Sequence, residues 1–213
     1  MQYSESIDDF ARIMTAGNNG GYANNWLVAD RKTNEIASLE LGLKNVNLLR
    51  TRDGYFAGAN FAVNIKLIKE ETDYPVDDAG FGANSRRLRW DQLLAENKGR
   101  VDVEAAKRFL ADHYDAHEGK TAPSERTICG HIDLSSRGVS GWWGPYGPAG
   151  AVQNKVADAA MAERMSLFAA MGHACGLDFR AAPHLAAHPE FSWQKQYLRD
   201  LRAGTWSAFE SLQ

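Results

Sequence analysis

The chain has 213 residues, 44% of them hydrophobic and 24% charged, with a formal net charge of -3. That balance describes a globular protein of one domain or at most two, and it supplies no basic footprint for nucleic acid or an anionic membrane surface. The longest apolar runs fall short of a bilayer span, and residues 1–10 carry Glu5, Asp8 and Asp9 where a signal peptide needs basic and then apolar character, so membrane spanning is not expected and the compartment stays open: cytoplasmic, or exported by a signal on an upstream segment.

Ile7, Phe10, Ile13 and Met14 recur at helical spacing behind Ser6, an N-cap residue followed by Asp8 and Asp9, and predict a short amphipathic helix. Gly17-Asn18-Asn19-Gly20-Gly21 is a turn. Strands are expected at Trp26–Ala29, Glu35–Leu41, Val46–Leu49 and Tyr55–Val63, with short polar turns between them, so the first sixty-odd residues read as an antiparallel meander. The period then becomes helical around Leu88 to Leu94 and again from Val103 to Tyr114.

Thr127–Leu134 reads as a strand. A glycine-hinged aromatic loop follows, with Gly138, Gly141, Gly144, Gly147 and Gly150 around Trp142, Trp143 and Tyr146. Helix propensity alone favours a helix over Lys155–Gly172. The tail, broken by Pro183 and Pro189, is expected to close with a helix over Gln194–Leu201. The whole is expected to be one domain over residues 1–213.

Several groups of residues bear on chemistry. On a strand, Cys129, His131 and Asp133 would share one face, a thiol, a base and an orienting acid. Such neighbours stand roughly 6–7 Å apart, whereas a nucleophile and its base need about 3 Å, so a polar strand face is the expected role. His113/His117 and His184/His188 have the four-residue spacing of helical metal ligands but lack the Glu beside the first His of a zinc hydrolase. The two cysteines, Cys129 and Cys175, lack zinc-type pairing and read as buried thiols, or as a disulfide if the protein is exported. No metal or cofactor is expected. Asn60, between small residues in Ala57-Gly58-Ala59-Asn60-Phe61, could aim its NH2 group at an oxyanion or could bridge adjacent strands. Trp142 and Trp143 could wall a ligand or pack the loop onto the domain.

Several motifs carry a resemblance. Asn18-Asn19-Gly20-Gly21-Tyr22-Ala23-Asn24-Asn25-Trp26-Leu27-Val28-Ala29-Asp30, Gly150-Ala151-Val152-Gln153-Asn154-Lys155-Val156 and Pro189-Glu190-Phe191-Ser192-Trp193 resemble segments of the phospholipase B-like proteins. Ser85–Leu94, Phe109–His113 and Ile128-Cys129-Gly130-His131 are similar to the acyl-coenzyme A:6-aminopenicillanate acyltransferase family. The matches run in order from about residue 18 to residue 193. Gly130 stands where the acyltransferase motif has Arg, and His131 aligns with an Arg of the phospholipase B-like proteins.

Both families are N-terminal-nucleophile hydrolases. The resemblance implies an α+β fold, a four-layer α-β-β-α sandwich, and replaces the propensity helix over Lys155–Gly172 with a strand pair turning near Ala162-Glu163-Arg164. It implies Asn60 as the oxyanion-hole residue, with Asn24, Asn25, Trp26, His131, Asp133, Trp142 and Trp143 binding substrate. In both families the nucleophilic cysteine precedes these motifs, so the chain is expected to be the C-terminal portion of an amidohydrolase or acyltransferase for a small acyl substrate, partnered by a nucleophile-bearing segment of the same precursor. Two other functions are weighed beside it: a non-catalytic ligand-binding module, and an enzyme complete in this chain through Cys129 and His131.

Overall fold

In the computed structural model, which describes residues 3–138 and 144–211, the chain is α+β with three small antiparallel sheets and flanking helices. It divides into two compact units, Met1–Asp77 and Asp78–Gln213. Among the described residues no helix is long and apolar enough to cross a membrane.

The first unit opens with α1 (Ile7–Thr15), capped as its sequence predicts: the Ser6 side chain accepts the Asp9 backbone N–H. Ile7 and Phe10 form its buried face, packed on the first two strands. A meander follows, β1 (Asn24–Asp30), β2 (Glu35–Leu41) and β3 (Val46–Thr51), in sheet order β1-β2-β3. The centre of the sheet is β2, with Ala37 and Leu39 in the core.

The expected fourth strand, Tyr55–Val63, does not form. The Glu40 carboxylate instead takes the backbone N–H groups of Val63 (2.6 Å) and Asn64 (2.9 Å), which a sheet ladder would otherwise claim. Asn64 then caps α2 (Ile65–Glu71) by accepting the Leu67 N–H. At the far end of α2, the Glu71 carboxylate accepts the backbone N–H groups of Leu43 and Asn45 in the β2–β3 turn.

The second unit begins with α3 (Gly82–Glu96) and α4 (Val103–Leu110). Leu93, Ala105, Phe109 and Ile128 form its core cluster, with Trp90 edge-on to Phe109 at 6.3 Å between ring centroids. A two-stranded hairpin, β4 (Tyr114–Asp115) with β5 (Lys120–Thr121), follows. The second three-stranded sheet has β7 (Ser166–Met171) between β6 (Gln153–Val156) and β8 (Ser207–Glu210).

The strand pair expected over Lys155–Gly172 is present. Its alanines keep a vestige of their helix propensity in α5 (Ala159–Glu163), a short helix inside the turn. The closing helix expected over Gln194–Leu201 is absent. Only the end of a 3-10 segment, Pro189–Gln196, reaches that span, and the helix of the tail lies earlier, α6 (Ala181–Ala187), whose Pro183 sits in the first turn where a missing N–H costs nothing.

Asp115 anchors the hairpin. Fully buried, it accepts the Arg126 guanidinium at 2.6 Å and the backbone N–H groups of His117 and Glu118 at 3.0 Å each. Burial alone would raise its pKa, but the Glu118 N–H and the Arg126 charge outweigh it and hold the carboxyl below its ordinary value. A depressed folded-state pKa contributes stability above the unfolded value of about 3.9 and loses it as pH falls through the folded value. Asp115→Asn is therefore expected to flatten the acid limb of the stability–pH curve below about pH 4, measured by urea unfolding across pH. An acid limb identical to wild type would contradict this role.

Candidate functional site

Two constellations stand out, one in each unit. In the first unit, strand alternation and register put Asn25 and Leu27 of β1 on the same face as Ser38 and Glu40 of β2. Over that face opens a cleft of about 540 Å³ whose lining includes Asn24, Asn25, Leu27, Glu40, Asn60 and Phe61. Such a volume suits a small ligand. Ser38 Oγ donates to Asn25 Oδ1 at 2.7 Å, and Asn24 Oδ1 accepts the Asn25 backbone N–H at 2.8 Å. Glu40 is 2% exposed and also accepts Asn47 Nδ2 at 3.2 Å, so the carboxylate in the wall of the cleft is satisfied by three donors.

Asn60 reaches this cleft by a route different from the expected one. It is exposed and in a bend, with φ at 64°, a left-handed conformation that Asn tolerates better than most residues. Out of any strand, Asn60 is not placed to bridge adjacent strands from within a sheet. Trp26, one residue after Asn25, lies on the opposite face of β1 and is not among the cleft-lining residues. Trp142 and Trp143 lie outside the described residues.

In the second unit the expected strand Thr127–Leu134 is a succession of turns. Gly130 takes φ 49°, its N–H bonds back to Thr127 O at 3.0 Å, and residues 132–134 form a 3-10 turn. A left-handed residue cannot continue a strand. The reversal folds Cys129 back on His131 and removes the distance objection, because Cys129 Sγ stands 3.6 Å from His131 Nε2. Gly130 is thus the residue that makes the approach, and an Arg there would meet the strain of a positive φ.

Other segments converge on the same imidazole. Gly172 and Gly176, both at positive φ, bound a turn after β7 that carries His173 and Cys175, and Cys175 Sγ lies 3.4 Å from His131 Nε2. His113, just beyond α4, sets its ring 5.0 Å from that of His131. On the other side of His131, Asp133 Oδ1 faces Nδ1 at 3.6 Å and also faces His173 Nε2 at 3.7 Å. His173 stacks on His131 at 3.7 Å and turns its Nδ1 to Cys129 O at 3.4 Å.

Burial pushes the Cys129 thiol up to about 12. Burial, and then the charge of His131, hold the His113 imidazole below its ordinary value. Burial would raise the Asp133 carboxyl, yet the imidazoles of His131 and His173 keep it well below the usual carboxylate range. Cys129 is 0% exposed, so no substrate carbonyl can reach its sulfur, which counts against an enzyme complete through Cys129 and His131. Both cysteines are free thiols.

His113, Cys129, His131 and Cys175 form one group able to hold a metal ion, and His131, Asp133 and His173 form another. The sequence does carry a sign of this. Cys129-x-His131 is mirrored by His173-x-Cys175, each with glycine at the turn, a pattern visible only when the two cysteines are taken together. His117 is in neither group. His184 and His188 do lie on or at the end of a helix, α6, with rings 4.8 Å apart.

Compared with known proteins, the chain matches no family model, no curated protein and no solved structure.

Proposed function

We propose that the chain is the C-terminal part of a cysteine N-terminal-nucleophile amidohydrolase or acyltransferase, within a four-layer α-β-β-α sandwich, and acts on an amide or ester bond of a small acyl substrate. The observation that carries this is the cleft over β1 and β2, where Asn24 and Asn25 meet Asn60 from a separate segment between small and apolar walls. Amide N–H groups beside an apolar acyl pocket are what a tetrahedral oxyanion needs.

The nucleophile comes from a segment outside these 213 residues, since both cysteines of the chain are committed to His131. Its thiolate adds to the substrate carbonyl carbon, the π electrons move to oxygen, and the Asn60 amide donates to that oxyanion. The proton lost by the thiol passes to the leaving nitrogen or oxygen as collapse expels the amine or alcohol and leaves a thioester, and water or a second amine then cleaves that thioester, its own proton returning to the sulfur. Asn24 and Asn25 position the acyl group, and Leu27 and Phe61 line its apolar end.

The experiment is a titration of the chain with short acyl amides, followed at the side-chain NH2 resonances of Asn24, Asn25 and Asn60. A non-catalytic binding module on the same cleft would show the same binding and no turnover once the nucleophile segment is supplied.

A further inference from the structure

The cluster around His131 lies in the second unit, and its residues are not among those lining the cleft of the first. We propose that His113, Cys129, His131 and Cys175 bind one zinc ion as a closed structural site, with Asp133 and His173 as its outer support. Two thiolates and two imidazoles are a zinc-type donor set, softer than calcium or magnesium accept.

The distances agree with a single ion. Zinc–sulfur and zinc–nitrogen bonds of about 2.3 and 2.05 Å at a tetrahedral angle give a sulfur-to-nitrogen edge of about 3.6 Å. The two edges that meet at His131 Nε2 are 3.6 Å to Cys129 and 3.4 Å to Cys175. The donor atoms of all four residues lie within 4.8 Å of one another.

A second observation is independent of those distances. Among the described residues six buried side-chain N or O atoms lack a hydrogen bond, and four of them belong to this one cluster: His113 Nε2, His131 Nδ1, Asp133 Oδ1 and His173 Nε2. Buried polar atoms are rarely left so: His113 belongs to the proposed donor set, and the other three are the facing atoms of its outer support. An ion on His131 Nε2 fixes the ring proton on Nδ1, facing Asp133 Oδ1, the carboxylate–histidine arrangement that supports bound zinc.

Four protein donors leave no open position for substrate, so the ion's role is to staple three separate stretches: the end of α4, the Gly130 turn and the loop after β7. Binding takes Zn²⁺ and two thiols to the dithiolate complex and releases two protons.

Metal analysis of the full chain, purified without a chelating tag, should find one zinc per chain. Cobalt exchanged for zinc should give the intense visible bands of a tetrahedral site with thiolate-to-cobalt charge transfer. C129S and C175S should each lose the ion, D133N should keep it with affinity lowered about 10–100-fold, and H188A should match wild type. The proposal is overturned if folded wild-type chain holds less than about a tenth of an equivalent of zinc and takes up no cobalt, or if both cysteine variants retain the ion. It is equally overturned by a metal-free chain lighter by two hydrogens, which would be a Cys129–Cys175 disulfide. Where a cysteine variant fails to fold, the cobalt spectrum of the wild type decides.

Discussion

Gly150→Ala is expected to cost more than about 4 kcal/mol, the range reserved for specific backbone or core disruption. Gly150 sits at φ 109°, and an added Cβ would lie 2.1 Å from Gly130 O and 2.8 Å from Gly130 C. Those are backbone atoms, which cannot swing aside as a flexible side chain would. Moving them breaks the bridge between His131 and Gly150 and the bond from Ile132 N–H to Ala149 O at 3.3 Å. The damage therefore reaches the cysteine–histidine cluster as well as the fold. Thermal unfolding should fall by roughly 10 °C or more, at about 2–4 °C per kcal/mol for a chain of this size, and Cys129 should become reactive to thiol reagents under native conditions. A loss below about 0.5 kcal/mol, the ordinary surface range, would mean that the two glycines do not approach as described.

The second large effect is catalytic. With the nucleophile-bearing segment present, Asn60→Ala should lower kcat by about 10²–10³-fold, the usual consequence of removing one oxyanion donor, while KM changes little. Asn60 sits at a positive φ that Asn tolerates better than Ala, so truncation should also cost about 1 kcal/mol, and kcat is compared at a temperature where both proteins are folded. Asn60→Asp, which replaces the donor by an acceptor-only carboxylate, should be at least as damaging. Unchanged turnover in Asn60→Ala would remove Asn60 from the reaction.

Much of the first unit is legible in the sequence because its local signals agree with its tertiary contacts. Ser6 with Asp8 and Asp9 announces α1, and the alternation of Glu35–Leu41 announces the buried β2. Tyr55–Val63 misleads because Glu40, distant in sequence, captures the N–H groups of Val63 and Asn64. No window of local periodicity contains that carboxylate. Asn64 followed by Ile65-Lys66-Leu67-Ile68 does carry a cap-and-helix signal for α2, which the strand expectation overlooks.

The second unit hides its site more deeply. Thr127–Leu134 has the composition of a strand, and only Gly130, read as a left-handed hinge rather than a small residue, would reveal the reversal that joins Cys129 to His131. Cys175 and His113 arrive from a turn and a helix end far away in sequence, so their convergence is a property of the fold. The Ala-rich Lys155–Gly172 shows the opposite case, since sheet pairing of β6 and β7 confines helix propensity to the five residues of α5. In the tail, the prolines mark boundaries correctly, but Pro183 starts a helix there.

The central claim is that the β1–β2 cleft receives the acyl part of an amide or ester substrate, and the side-chain amides of the chain test it most directly. With labelled full-length chain and a short acyl amide added stepwise, the NH2 resonances of Asn24, Asn25 and Asn60 should shift together and saturate with one common dissociation constant, while the Gln194 side-chain amide, held by Tyr146 O at 2.8 Å in the second unit, should stay in place. Shifts confined to residues outside the cleft, or no saturable shift at those three asparagines, would contradict it.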